Sequence, residues 1–196
     1  PYTLKFVWAP VMDRFTPMRL GRRRGWLLIC QLALIAALLW LSISQPATAP
    51  LGLALAALLV TFFSASQDIV IDAYRREALA DDEQGLGASL YVNGYRVGML
   101  LASGGGLILA DFISFAQVYQ LMALFMLIGV LTTVFAPEPE AAQGQPRSLR
   151  EAVIQPFIEY FSRRGALAIL AFILLYKLGD TMASHMTTPF YLDLGF

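Results

Sequence analysis

Residues 51–75 read LGLALAALLVTFFSASQDIVIDAYR, and no charge occurs in this stretch before Asp68. As a helix rising ~1.5 Å per residue, it is long enough to cross a hydrocarbon core about 30 Å thick. Its first half is apolar on every side, so no face there asks for water. Further along, Thr61, Ser64, Asp68, Asp72 and Arg75 recur at three- and four-residue steps and share one face. A charge at such depth costs about 3 kcal/mol even on a lenient scale unless it meets a cavity or a partner. The stretch therefore predicts a membrane helix with a polar stripe turned toward something hydrophilic.

The whole chain has the same character. Of its 196 residues, 58% are hydrophobic and 14% charged, and mean hydropathy is +0.62. Soluble domains carry about 25% charged residues, and a soluble core of this size cannot hide the excess. The composition argues against a soluble enzyme, a nucleic-acid binder and a disordered chain. Net charge is zero, with 14 basic and 14 acidic residues, so no global field attracts a polyanion. Cys30 is the single cysteine and His185 the single histidine. That excludes an internal disulfide and disfavours a zinc site. No cofactor and no metal are expected. The chain opens on Pro1 inside an apolar run and reads as part of a longer protein.

Working outward from residues 51–75 (segment C), five other apolar runs are present: A, Pro1–Met12, a stub; B, Trp26–Ser44; D, Gly85–Ala110; E, Ala116–Ala136; and F, Gly165–Pro189. Between E and F lies the polar stretch Pro137–Arg164. It opens with Pro137-Glu138-Pro139-Glu140, which no helix interior accommodates. It continues with Ser148-Leu149-Arg150-Glu151, a capping-box pattern ahead of Val153, Ile154, Phe157, Tyr160 and Phe161. We read it as a linker with a short amphipathic helix on the membrane face. The predicted fold is all-α, a polytopic membrane helix bundle. Residues 1–136 form one transmembrane portion, 137–164 a cytoplasmic linker, and 165–196 the first helix of a second portion.

Arginines set the orientation. The A–B connection holds Arg14, Arg19, Arg22, Arg23 and Arg24; C–D holds Arg75 and Arg76; E–F holds Arg147, Arg150, Arg163 and Arg164. The B–C and D–E connections hold neither Lys nor Arg. The positive-inside rule puts the basic side in the cytoplasm.

Lys5, Arg96 and Lys177 are the basic residues left within the membrane, with Asp68, Asp72 and Asp180 as acids at comparable depth. They fall on A, C, D and F. The charge-free B and E are expected to face lipid, with Cys30 a small filler on a lipid-facing helix. On D, Ser89, Asn93, Arg96 and Ser103 form one face, and Gly94, Gly98, Ala102 and Gly106 form a small-residue ridge opposite, where another helix can approach closely. On F, Lys177, Asp180, Thr181, Ser184 and Thr188 share an arc. Three facing stripes would make a hydrophilic pathway. Arg96, near the midplane with no acid one turn away, is expected to meet an anionic part of a substrate, with Asn93 and Lys177 as further contacts. Gln67, off the stripe, is either a substrate contact or a bond to a neighbouring helix. Lys5 and Asp68 lie at one depth and form a candidate ion pair. Asp72 with Arg75 and Lys177 with Asp180 are spaced for pairing within their own helices.

Membrane enzymes fit poorly. An intramembrane aspartyl protease needs two facing acids, for which Asp68 or Asp72 with Asp180 offers only the three-residue likeness Leu178-Gly179-Asp180. A serine type would need Ser103 with His185 on another helix, and a metalloprotease needs His-Glu-x-x-His.

The stretch Ala9-Pro10-Val11-Met12-Asp13-Arg14, followed by Gly21-Arg22-Arg23-Arg24, resembles the signature loop between the second and third helices of the major facilitator superfamily. Ala9 stands where that pattern has glycine. Five further runs narrow the likeness: Tyr2–Phe6, Gly21–Leu28, Ser64–Tyr74, Gly94–Leu100 and Leu175–Asp180. Together they resemble the AmpG muropeptide permeases; acetyl-coenzyme A transporters are similar in the Gln67-Asp68-Ile69 to Asp72 core. The resemblance implies that A is a partial second helix and F the seventh, with B and E as lipid-facing helices. It implies an inner-membrane importer of anhydromuropeptides, driven by protons, serving cell-wall recycling and indirectly β-lactamase induction, and monomeric as a whole protein. Other substrates of the superfamily remain the alternative.

A gate and a coupling acid are expected within this frame. Asp13, Arg14, Arg22, Arg23, Asp72 and Arg75 cluster at the cytoplasmic rim. Asp13 is placed to cap a helix of the other half, while Arg22 or Arg23 pairs with Asp72. A proton-coupled carrier needs an acid whose counter-ion leaves during the cycle. Asp68 is the first choice, because its partner Lys5 is on another helix; Asp180 is the second.

Overall fold

The computed structural model describes residues 1–139 and 149–194, apart from the side chains of Leu149, Ala152, Thr188 and Leu192. Ser148 of the expected capping box, Arg147 and the Thr188 side chain therefore lie outside the described residues. The described residues are helical, without strands, and form two units, Pro1–Leu149 and Arg150–Phe196. Four described helices are long and apolar enough to cross a membrane.

In the first unit, a 3-10 turn at Tyr2–Val7 leads into the short helix α1, Ala9–Arg14. Segment A is thus two short pieces. Pro10 lies in the first turn of α1, where its missing N–H is no loss. Helix α2 spans Arg22–Ile43 and α3 spans Pro50–Ala78. α3 runs three residues past Arg75, where segment C was expected to end, and this brings Glu77 into the helix. Helix α4, Gln84–Leu100, passes without a break through a π turn at Leu101–Gly105 into α5, Gly106–Ala110. Segment D was read as one uniform helix. Its run Ser103-Gly104-Gly105-Gly106 is poor in helix formers, and its glycines tolerate the widened turn. Helix α6, Phe115–Phe135, starts at a true capping box, Ser114 with Gln117.

The core corrects one expectation. Helix α2, without charge past Arg24, is packed against both α3 and α6. Its buried stripe of Leu27, Cys30, Gln31, Leu34, Ala37 and Leu41 repeats at helical spacing. Met12, Leu27, Cys30 and Val70 form a closed cluster, flanked by Trp8, Trp26, Ile69, Ile71 and Tyr74. Cys30 is therefore a core residue at 1% exposure, not a filler facing lipid. Lipid and protein core select the same side chains, so absence of charge does not tell the packed face of α2 from its open one. The faces that α2 and α6 leave open, including Leu32, Leu39, Leu124, Phe125 and Ile128, are apolar. Gln31, buried between them, donates from Nε2 to Thr133 Oγ1 at 2.9 Å and ties α2 to α6. Trp8 does the same for the 3-10 turn, donating to Ser66 Oγ of α3 at 3.0 Å.

In the second unit, α7 (Leu149–Ser162) and α8 (Ala166–Asp193) are joined by a turn at Gly165, whose φ of +83° suits glycine. Pro156 lies within α7 and Pro189 within α8.

Candidate functional site

Two groups of the predicted residues come together. The first is at the end of the bundle where α1 stops, α2 starts and α3 and α6 finish. Arg22 and Arg23 open α2, and their side chains turn back toward α3. Arg22 donates to Glu77 Oε1 at 3.0 Å and to the Asp13 carbonyl at 3.0 Å. Arg23 donates through Nε to Glu77 Oε2 at 2.9 Å, through Nη2 to Glu77 Oε1, and through Nη1 to Asp13 Oδ1 at 2.7 Å. Both guanidiniums thus share the Glu77 carboxylate, Arg23 takes that of Asp13 as well, and both arginines are under 10% exposed. A buried charge of this kind persists only when paired and hydrogen-bonded.

This arrangement overturns the expected pairing of Arg22 or Arg23 with Asp72. Asp72 lies over a turn earlier on α3 than Glu77 and pairs with Arg75 at 3.6 Å. Arg75 also lies over the Tyr91 ring, at 5.2 Å from its centroid. Arg14 is exposed and stacks on Phe15, 5.9 Å from its centroid, with no ion pair among the described residues. It does not join the cluster.

Beside the arginines, backbone and side-chain charges interlock. Gly21, with φ of +108°, precedes α2. Its missing side chain leaves room for Glu138, whose two carboxylate oxygens accept from the Arg23 and Arg24 backbone N–H groups at 2.8 and 3.0 Å. A carboxylate at a helix N-terminus satisfies orphan donors and the positive end of the dipole. Arg24 answers at the other pole. It donates to the Thr133 carbonyl at 3.0 Å and to that of Val134, in the last turn of α6. Tyr74 OH donates to the Pro137 carbonyl at 2.7 Å. Glu77 and Glu138 were missed as site residues. The available signal was an acid two residues beyond the expected end of C, and another two residues beyond the expected end of E, both on the side of the arginine triplet.

The second group lies deeper. Lys5 Nζ of the 3-10 turn is 4.0 Å from Asp68 Oδ2 of α3, and both side chains are partly exposed. Asp68, Gln67 and Ser64 line a cavity of about 630 Å³ whose other walls are apolar, from α2, the α4–α5 helix and α6. Gln67 Oε1 is buried with no hydrogen-bond partner among the described residues. The α4–α5 helix turns Gly98, Ala102 and Gly106 toward this cavity. Close packing on that ridge is found at Gly106, where an added Cβ would press on Met122 at 2.8 Å; at Gly94 and Gly98 it would meet nothing within 4 Å.

Within the first unit, Arg96 and Asn93 join neither group. Arg96 is exposed, is not among the cavity-lining residues, and makes no ion pair among the described residues. Asn93 donates to the Ser89 carbonyl of its own helix at 2.9 Å. Lys177 and Asp180, in the second unit, pair at 3.0 Å.

The family model described as Major Facilitator Superfamily matches residues 2–196. Over its full length the chain is 43% identical to the anhydromuropeptide permease of Escherichia coli K12, of which it covers 40%. It is 44% identical to an uncharacterized protein of Haemophilus influenzae, covering 47% of it, and 30% identical to the putative transporter AmpG 4 of Rickettsia felis, covering 50%. The chain thus spans half or less of the length of these relatives. With an apolar helix bundle, paired charges at one rim and a family match from end to end, this chain belongs to the major facilitator superfamily.

Proposed function

We propose that the protein carrying these residues is a permease of the bacterial inner membrane that imports anhydromuropeptides, N-acetylglucosaminyl-1,6-anhydro-N-acetylmuramyl peptides, for cell-wall recycling, coupled to protons. The 43% identity along the whole chain to a relative named for that substrate carries the reading. The polar residues suit a ligand of hydroxyls, amides and carboxylates, and among the described residues of the first unit no catalytic pair is assembled. Asp68 and Asp72 sit on one helix, and Ser103 donates to the Met99 carbonyl of its own.

In the cycle we assign, Asp68 carries the proton. Its counter-ion Lys5 stands on a separate element at 4.0 Å, so a shift of either element changes the charge that Asp68 feels. Asp180 is the weaker candidate, since Lys177 is on its own helix at 3.0 Å and travels with it. Arg96 is assigned to an anionic group of the substrate, where the planar fork of arginine matches a carboxylate and lysine does not. Asn93, Gln67 and Lys177 complete the contacts. The paired arginines at the rim, with Asp13 and Glu77, hold the cytoplasmic ends of α1, α2 and α3 together and would part when that side opens.

Uptake of radiolabelled anhydromuropeptide into cells lacking their own permease tests the reading, with and without an uncoupler. Uncoupler-sensitive accumulation is expected. Absence of uptake, with acetyl-coenzyme A or another solute carried instead, would favour the alternative of a different substrate in the same superfamily.

A further inference from the structure

Helix α7 has no part in the transport cycle proposed for this protein, and its side chains sort by type. Val153, Ile154, Phe157, Ile158 and Phe161 fall within an arc of roughly 140° at 100° per residue. All five are exposed, from 41% at Ile154 to 62% at Phe157. Glu159 and Arg163 take the opposite side and pair at 2.7 Å. Arg150 and Arg164 stand at the two ends, and neither forms an ion pair among the described residues. The helix therefore has an apolar strip, a polar back on which Glu159 and Arg163 pair, and two arginines without an ion pair among the described residues, Arg150 beside Glu151 in its first turn and Arg164 just past its last.

The next helix fixes its place. Gly165 turns the chain directly into α8, which is long and apolar enough to cross a membrane. Ala166 N–H donates to the Arg163 carbonyl at 3.2 Å, and Tyr160 OH donates to the Ala166 carbonyl at 3.2 Å. The last turn of α7 is thus bonded to the first turn of a spanning helix, whose start must lie where bilayer meets water. An amphipathic helix held there lies in the interfacial plane. Five large apolar side chains left in water would instead be an association hazard.

We propose that α7 is seated in the leaflet at which α8 begins, with its apolar arc among the acyl chains and Arg150 and Arg164 on the phosphates of anionic phospholipid. Long arginine side chains can lie along the apolar surface and still bring the guanidinium to headgroup level. There the fork takes two phosphate oxygens at once. The Glu159–Arg163 pair stays on the water side. This assignment is independent of the solute carried.

The test uses the intact protein in bilayers, with Cys30 replaced and a fluorescent label on a single cysteine at Phe157, Glu159 or, as an insertion control, Leu174 of α8. Brominated lipids quench labels among acyl chains, and iodide quenches labels in water. The Phe157→Cys label is expected to answer to bromolipid and the Glu159→Cys label to iodide. Each arginine near an anionic surface favours the seated state about fivefold. Replacing phosphatidylglycerol with phosphatidylcholine, or introducing R150Q with R164Q, should therefore shift Phe157→Cys toward iodide while Leu174→Cys is unchanged. A Phe157→Cys label open to iodide in both membranes overturns the proposal. So does one shielded from both quenchers, which would mean that protein covers the strip. Bromolipid quenching that ignores lipid charge would overturn the assignment to anionic headgroups, and the lipid arm decides this without any arginine variant.

Discussion

Replacing Glu77 with glutamine preserves side-chain length and removes one charge from the cluster at the head of α2. Glu77 accepts from Arg22 at 3.0 Å and from Arg23 through two nitrogens. Its side chain is 14% exposed, against 8% and 6% for those arginines. In the variant, Arg23 keeps the Asp13 carboxylate, and Arg22 keeps the Asp13 backbone carbonyl. Removing one partner of a buried pair costs about 3–5 kcal/mol. The retained Asp13 and the amide oxygen, which still accepts a hydrogen bond, put this case near the lower end, about 3 kcal/mol. For a unit of this size that is a fall in Tm of roughly 6–12 °C. Thermal unfolding in nanodiscs, read by thiol-reactive labelling of buried Cys30, measures it. Asp13→Asn should cost about 1 kcal/mol, since Asp13 is more open and Arg23 keeps Glu77. Asp72→Asn should cost less than about 0.5 kcal/mol, because Asp72 is itself exposed and its contact with Arg75 is loose at 3.6 Å. The order Glu77, Asp13, Asp72 is the signature. A Glu77→Gln protein within about 2 °C of the parent, or a larger loss at Asp72, would refute the reasoning.

Gly21→Ala combines a positive φ with a Cβ driven into the Glu138 carboxylate, and should cost about 2 kcal/mol in the same unfolding assay; Glu138→Gln, which weakens the cap alone, should cost about 1 kcal/mol. Asp68→Asn should abolish gradient-driven accumulation and spare counterflow exchange, which needs no net proton movement; accumulation under a pH gradient would remove Asp68 as the coupling acid. Arg96→Lys should lose most transport of peptide-bearing substrate, and equal uptake would make Arg96 structural. An impermeant thiol reagent outside the cell should label Thr48→Cys and spare Glu83→Cys; the reverse pattern would invert the topology.

The helices were legible because length, hydropathy and arginine sidedness are local properties of the chain. Segments B, C, E and F appear within a few residues of their expected bounds. The pairing of Lys5 with Asp68 was open to a depth argument, since both lie the same distance from one rim. The partners of Arg22 and Arg23 were not. Choosing Glu77 over Asp72 depends on where α3 ends, and helix ends are set by capping rather than by hydrophobic period. Asp72 was the acid inside the expected segment, and Glu77 lay in the presumed loop. Glu138 was read, with its flanking prolines, as the non-helical opening of the linker after E. A cap joining the start of one helix to the end of another, more than a hundred residues apart in sequence, has no local signature. The packing of α2 against both α3 and α6 was hidden for a different reason: charge-free stretches suit lipid and protein interiors alike.

The π turn between α4 and α5 changes what a four-residue repeat can do. Four residues of straight α-helix turn through about 400°, so a ridge built at that spacing winds off its starting line by roughly 40° at each step. Over the two steps from Gly98 to Gly106 it would have moved about a quarter of the way around the helix. A π turn holds more residues per revolution and so unwinds that drift. Gly98, Ala102 and Gly106 accordingly all line one cavity, on either side of Leu101–Gly105. The irregular turn reduces the winding of the ridge. Removing one residue from it would leave a longer regular α-helix whose small side chains no longer point the same way.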